Sequence, residues 1–408
     1  MIPGAQGEAR RHESRAARVD LVYFNAGGGH RASALALQQA IAESGLGWDV
    51  RLVNLTEVLD PGGTLRRRAF SPEDYYNARL AHGLTLGLRT ELRVLQALIH
   101  LLHPSLVRAL RQHWLRSQPD LVVSLIPNFN RALYDSLGAT LPGVAYVTVL
   151  TDLADHPPHF WIEPGQAQHL VCGTEHAVSQ ALQAGYPPER VHATSGMILR
   201  PDFYRLAAGF DQAAQRAANG LEPGRPTGVV MFGGHGARAM VSIAERLDDV
   251  QLILLCGHNQ RLAERLRAQP ARAPRLVLGF TQQVAEVLRM GDFFIGKPGP
   301  GSLSEALHLG LPVVVTRNAW TMPQERYNTD WVRDNGFGLV LRSFGGIDVA
   351  LPELLAALPA YRQRVAAYRN RAVFEVPGIL ERIVCASAST AALDLAVPGA
   401  LSGSRCAS

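Results

Sequence analysis

Short apolar runs, glycine turns and amphipathic stretches alternate along the chain from residue 19 to about residue 316. Runs at 19–26, 50–55, 121–126, 145–150 and 169–172 read as strands of a first half, and runs at 228–232, 251–256, 293–295 and 313–316 as strands of a second. Each is apolar almost throughout rather than alternating, which is the pattern of a strand covered on both faces. Three- and four-residue apolar steps between them predict helices, for example over 32–43, 237–247 and 303–309. Continuous strands alternating with helices predict an α/β protein with parallel sheets, whose ligands bind beyond the strand carboxyl ends. The theme runs twice, so two domains are expected, at 19–201 and at 202–384, the second led in by a linker and entry helix over 203–228. Residues 1–18 read as a basic disordered tail and the Ala/Ser-rich residues 385–408 as an unstructured one.

One segment departs from this pattern. Over 88–102, Leu88, Leu92, Leu95, Ile99 and Leu102 share a helical face, and Arg89 and Arg93 fall away from it. Pro104 interrupts, and a second short helix is expected from about Ser105. The segment sits within 61–116, where nine arginines, among them Arg66, Arg67 and Arg68, face three acids, although the whole chain carries only +5. Such a stretch is either a helix packed on its own domain or an interfacial helix resting on an anionic membrane. No apolar run approaches the roughly 20 residues that span a bilayer. The start lacks the apolar core of a secretory signal. Cys172, Cys256, Cys385 and Cys406 show no paired spacing, which speaks against structural zinc or a disulfide framework and for a reducing cytoplasm.

Candidate chemistry lies in the loops after the strands. Lys297 is the one lysine among 40 basic side chains. It stands in Gly296-Lys297-Pro298-Gly299-Pro300-Gly301-Ser302, a loop of the type that cradles phosphates where backbone N–H groups and a helix start converge. Ser302 and Glu305 also have capping-box spacing, so the same residues fit a plain helix cap. The run at 27–32 formally matches G-x-G-x-x-A, but the second strand ends Arg51-Leu52-Val53-Asn54 without the acid a dinucleotide ribose needs. What remains there is a glycine turn, Gly28 and Gly29 included, with His30 at a helix start. Thr151-Asp152-Leu153-Ala154-Asp155-His156 and His159 could hold a metal, but prolines 157 and 158 break any helical ligand register. Asp152 fits a general base at a strand end, or a carboxylate satisfied as a cap. Gln324, Glu325 and Asn328 cluster amide and acid groups suited to sugar hydroxyls. GxSxG, HExxH and P-loop patterns are absent.

Taken in order, GGGHRASA at 27–34, LTDLADH at 150–156, CGHN at 256–259, KPGPGSLSEAL at 297–307 and PQERYN at 323–328 resemble glycosyltransferase family 28. Within it they look like the monogalactosyldiacylglycerol synthases and the processive diacylglycerol glucosyltransferases. The resemblance implies a GT-B fold, with two Rossmann-like domains facing across a cleft, the first taking the acceptor and the second a UDP-sugar. It implies inverting, metal-independent transfer of galactose or glucose from UDP-galactose or UDP-glucose to diacylglycerol. No cofactor beyond the donor and no nucleic acid would be involved, and the enzyme would sit peripherally on the cytoplasmic face of an anionic membrane.

Carried over by residue, the resemblance makes Asp152 the general base, with His30 beside it at the reacting centre. Gly234 and His235 would line the donor cleft. Gly299, Pro300, Gly301 and Ser302 would hold the diphosphate with Lys297 nearby, Glu305 the ribose, and Gln324, Glu325 and Asn328 the hexose. Gly28, Gly29, Arg66, Arg67, Arg68, Arg89 and Arg93 fall on the acceptor and membrane side. The chain departs from the galactolipid pattern at Met322-Pro323, where those enzymes have Pro-Gly, and at Arg326-Tyr327, where theirs are smaller or acidic. The hexose is therefore left open. Transfer of N-acetylglucosamine to a polyprenyl-linked peptidoglycan precursor, a UDP-sugar epimerase and a non-enzymatic anionic-lipid binder are the other readings of the same pattern.

Overall fold

The computed structural model describes residues 15–25, 29–60, 62, 88–205 and 209–395. Strands β1 (Arg18–Tyr23), β2 (Asp49–Asn54), β3 (Leu121–Ser124), β4 (Ala145–Val149), β5 (His169–Cys172) and β6 (Val191–Ala193) form one sheet in the order β2-β1-β3-β4-β5-β6. Strands β7 (Thr227–Met231), β8 (Gln251–Leu255), β9 (Arg275–Leu278), β10 (Phe293–Gly296), β11 (Val313–Thr316) and β12 (Gly338–Leu341) form the other, in the order β12-β11-β10-β7-β8-β9. Every pairing is parallel. The apolar runs named above are all strands. Three strands escaped that reading, β6, β9 and β12, and each is a sheet edge. Their residues are mostly half-buried, whereas β3, β7, β8 and β10 are buried at every position. Edge strands are covered less completely, so their sequence carries less of the apolar signal.

Close approach fixes the second sheet. A Cβ on Gly257, at φ +58°, would stand 2.1 Å from the Gly234 carbonyl oxygen, so only glycine lets the turns after β7 and β8 lie against each other. The backbone N–H of His258 donates to that same oxygen at 2.8 Å.

Two features correct the expected domain limits. The C-terminal stretch is a helix, Ala372–Leu395, which runs past residue 385, where an unstructured tail was expected. It also crosses back: Val373, Val376, Ile379, Leu380 and Ile383 join Val19, Leu21, Leu37 and Ile41 in the core of the first sheet. Those positions follow three- and four-residue steps, so one helix face is apolar and needs a core to bury it. The crossing is pinned by polar groups. The Glu375 carboxylate accepts from the Ser195 N–H and hydroxyl, each at 2.8 Å, and Asn370 Nδ2 donates to the Met197 carbonyl at 2.8 Å.

The linker ahead of β7 carries the expected entry helix, Gln212–Ala218, and buried Arg216 there donates to Asp292 Oδ2 (2.7 Å), the Met290 carbonyl (2.7 Å) and the Pro223 carbonyl (3.0 Å). Asp292 also accepts from the Thr227 N–H at 2.8 Å and from Arg362. Removing one partner of a buried ion pair strands the others. Arg216→Met is therefore expected to lower stability by about 3 kcal/mol, read as a lower urea midpoint by tryptophan fluorescence.

Candidate active site

The first sheet presents Asp152 at the carboxyl end of β4. The loop behind it is organised by the other acid of the motif. Asp155 accepts from the His159 N–H at 3.0 Å and the Trp161 N–H at 2.6 Å, and its backbone pairs with the Gln180 amide at 2.8 and 2.9 Å. Asp155 is thereby spent on backbone. The fold it imposes aims the Trp161 indole N–H at Asp152 Oδ2, 2.9 Å away. Asp152 is 7% exposed and makes no salt bridge among the described residues. Burial pushes its carboxyl up to about 7; the Trp161 hydrogen bond opposes this, and Glu325 across the cleft reinforces it.

His30 occupies the first turn of the helix Gly29–Glu43. Its Nδ1 lies 3.0 Å from the Thr151 hydroxyl, and its ring sits 5.9 Å from that of Trp161. Burial lowers its pKa to about 4, with the Leu125 backbone acting the other way, so the imidazole is neutral at pH 7. The structure thus brings His30, Thr151, Asp152 and Trp161 together. Gly28 lies outside the described residues.

The second sheet supplies the opposing wall. The helix Pro300–His308 begins directly after β10, with Gly299 as its N-cap and no side-chain cap bond. Ser302 is therefore inside the first turn and not the capping residue that the spacing also allowed. A helix start with no side chain on its N–H groups leaves them for an anion. Gly301 meets nothing within 4 Å of where its Cβ would stand. Lys297 Nζ is 3.0 Å from Glu325 Oε1 and acts on Asp152 through space, opposing Glu325. Buried Asn328 donates to the Pro298 carbonyl at 2.8 Å, tying the sugar motif to the lysine loop. Its Oδ1 has no hydrogen-bond partner among the described residues. Gln324 is buried beside it. Burial raises the Glu305 carboxyl to about 7, with Arg200 opposing and Asp202 reinforcing.

At the far end of this wall His235 and Gly234 are held through backbone. Asn259 Nδ2 donates to the His235 carbonyl at 3.2 Å, and the His258 ring stacks on Phe280 at 4.2 Å. Phe280 is 60% exposed. Trp161 and the His258–Phe280 stack were missed from sequence, and Thr151 entered only as part of its motif. A tryptophan nine residues beyond an acid carries no spacing signal, because only the loop's fold returns it.

The described part of the basic segment forms two helices as expected, Leu88–Leu101 and His103–Ser117, but the buried face differs. Leu92 and Ile99 of the expected face are buried, but Leu95 and Leu102 are exposed. They join Val94, Leu98 and Leu101 in an apolar surface, Leu101 being 77% exposed. Arg93, Arg108 and Arg111 are exposed on the same two helices. Arg66, Arg67 and Arg68 lie outside the described residues, as does the side chain of Arg89. Among the described residues no single helix is long and apolar enough to cross a membrane, and no cluster of His, Cys, Asp or Glu has metal-binding geometry.

Two Rossmann-like units that face each other across a cleft, with reactive loops at the strand carboxyl ends of both, define the GT-B architecture of glycosyltransferases. The chain is similar in sequence to monogalactosyldiacylglycerol synthases. It is 28% identical over 348 residues to a probable monogalactosyldiacylglycerol synthase of Nicotiana tabacum, covering 80% of this chain and 62% of that protein. The chain thus spans less than two thirds of that relative's length. Among solved structures, MurG of Acinetobacter baumannii superposes with a TM-score of 0.56 at 13% identity, over 90% of this chain and 99% of that one. UDP-GlcNAc 2-epimerase from Neisseria meningitidis gives 0.57 at 11% identity, over the same shares. Both likenesses are of fold alone. No protein-family model matches the chain.

The raised carboxyls have a measurable consequence. Between the ordinary carboxyl range and about pH 7, folded Asp152 keeps a proton that the unfolded chain has released. Its contribution is full at low pH and is lost as pH rises through 7. Asp152→Asn, which keeps an acceptor for Trp161, is expected to stabilise the protein at pH 8 by on the order of 2–4 kcal/mol relative to its effect at pH 4. Urea midpoints of both proteins at the two pH values test this; an equal difference at both would show an ordinary carboxyl.

Proposed function

We propose that the protein transfers a hexose, galactose foremost, from a UDP-sugar to diacylglycerol at a membrane surface, with inversion at the anomeric carbon and without a metal. The observation that carries this reading is Asp152. It is a buried carboxyl poised near neutrality, held by one indole N–H, facing a helix start and a lysine on the other domain. A base whose pKa lies near the working pH is the efficient choice for taking a hydroxyl proton. The glycerol hydroxyl gives its proton to Asp152 as its oxygen bonds to the anomeric carbon, and the bond to the diphosphate oxygen breaks. Neutral His30 serves as a hydrogen-bonding neighbour rather than an acid. The charge that develops on the departing UDP falls on the N–H groups of the helix Pro300–His308 and on Lys297, which supply what a divalent ion would otherwise supply.

Homology to galactolipid synthases supports the acceptor and donor. The exposed leucines of the helix Leu88–Leu101, flanked by Arg93, Arg108 and Arg111, support attachment to an anionic bilayer. Each arginine near such a surface contributes about 1 kcal/mol, so a few suffice for reversible docking.

The test is to incubate the purified protein with UDP-galactose, UDP-glucose or UDP-N-acetylglucosamine and diacylglycerol in anionic vesicles, with and without EDTA. Galactolipid formed despite chelation is the expected product. Epimerised UDP-sugar with no glycolipid would overturn the reading. In the same assay kcat/KM should fall about tenfold per pH unit below pH 7 as Asp152 takes up its proton. Asp152→Asn should lower kcat by about 10²–10⁴ while UDP still binds. Lys297→Arg should raise the donor KM, because a planar guanidinium does not replace a compact ammonium beside Glu325.

A further inference from the structure

The loop that carries Asp152 and the loop that carries Glu325 are each anchored in the opposite domain. Leu153, next to Asp152, is wholly buried in the core of the second sheet with Val229, Met231, Leu303 and Val332. Its carbonyl accepts from the Thr174 hydroxyl at 2.6 Å, and Thr174 N-caps the helix Glu175–Gln183 by accepting from the Ala177 N–H at 3.1 Å. From the other side, Tyr327 follows Glu325 by two residues, in the first turn of the helix Arg326–Asp334. Its ring lies flat on that of His176, with centroids 4.2 Å apart and planes at 14°. His176 is exposed, in the first turn of the helix that Thr174 caps. The stack therefore joins the sugar motif to the same short segment that holds the Leu153 carbonyl.

The geometry points to Tyr327 as a positioning residue, whose stack on His176 holds the two domains at the separation where Asp152 faces Glu325 and Lys297. A smaller residue at 327 could not reach His176. His176 is exposed, so removing its ring leaves no cavity in the domain cores, whereas Tyr327 is half-buried and also packs against the core of the second sheet. The catalytic part of the inference rests on the transfer reaction proposed above.

The experiment uses the full chain as wild type, Tyr327→Phe, Tyr327→Ala, His176→Ala and the double alanine variant. Two readouts are taken: transfer from UDP-galactose to diacylglycerol vesicles, and the interdomain distance by pulsed electron resonance. Spin labels are placed at exposed Glu189 and Glu264, with Cys385 and Cys406 replaced by serine. Tyr327→Phe keeps the stack and gives up only the hydroxyl's hydrogen bond to Thr174, so it should lose less kcat than Tyr327→Ala. Tyr327→Ala and His176→Ala should each lower kcat roughly three- to tenfold, the worth of one aromatic pair, with the UDP Kd unchanged within about twofold. The double variant should be no worse than the poorer single one, because both remove one interaction. The distance distribution should broaden in both alanine variants, and more than in Tyr327→Phe. Additive losses, or an unchanged kcat with an unchanged distribution, would overturn the clamp. Wild type that transfers no sugar would count against the proposed reaction only. The distance measurement then decides alone, broadening supporting the clamp and an unchanged distribution overturning it.

Discussion

Parallel pairing obliges every strand of a sheet to end at the same edge, and everything at this cleft follows from that constraint. In the first sheet it brings the turns after β1 and β4 to one edge, with only β3 between their strands, so His30 meets Thr151 although 121 residues separate them. In the second it aligns the loops after β7, β8, β10 and β11, so the glycine turns, the lysine loop and the sugar motif share one wall. The two edges face each other because the chain crosses between domains twice. Leu153 enters the second core, and the helix Ala372–Leu395 returns to the first.

The cleft then separates two acids of one short loop by environment. Asp155 is surrounded by backbone donors and builds the loop, while Asp152 has one indole N–H and little water. Burial raises both carboxyls, but three backbone hydrogen bonds counter it at Asp155. At Asp152 the nearby Glu325 adds to the rise. Lys297 lies between the two effects: it compensates Glu325 directly at 3.0 Å and Asp152 only from farther away. The positive potential facing a ligand therefore comes from backbone N–H groups at the helix start as much as from the single ammonium.

The membrane-side helix shows how far periodicity carries. Leu92 and Ile99 were legible as buried positions because their seven-residue separation keeps them on one face. Leu95 and Leu102 have the same period and are nonetheless exposed. The helix is too apolar for one domain to cover. Sequence spacing gives the width of an apolar stripe, and only the neighbouring surface decides how much of it is hidden.

Composition and patterning by themselves determined the strand runs of both domains, their parallel class and the candidates Asp152, His30, Lys297 and the 299–305 helix start. Central strands and strand-end loops advertise themselves, since burial on two faces demands continuous apolar side chains and ligand loops demand glycine. Three of the four edge strands stayed silent, because half-coverage leaves no such demand. Tertiary structure alone decided that Ala372–Leu395 completes the first domain, that Trp161 and not a neighbour in sequence holds Asp152, that Lys297 is paired to Glu325, and that Tyr327 lies on His176. Each of these is a contact between segments far apart in the chain or folded back through a loop, and its geometry follows from sheet order and domain crossing, which no local spacing encodes.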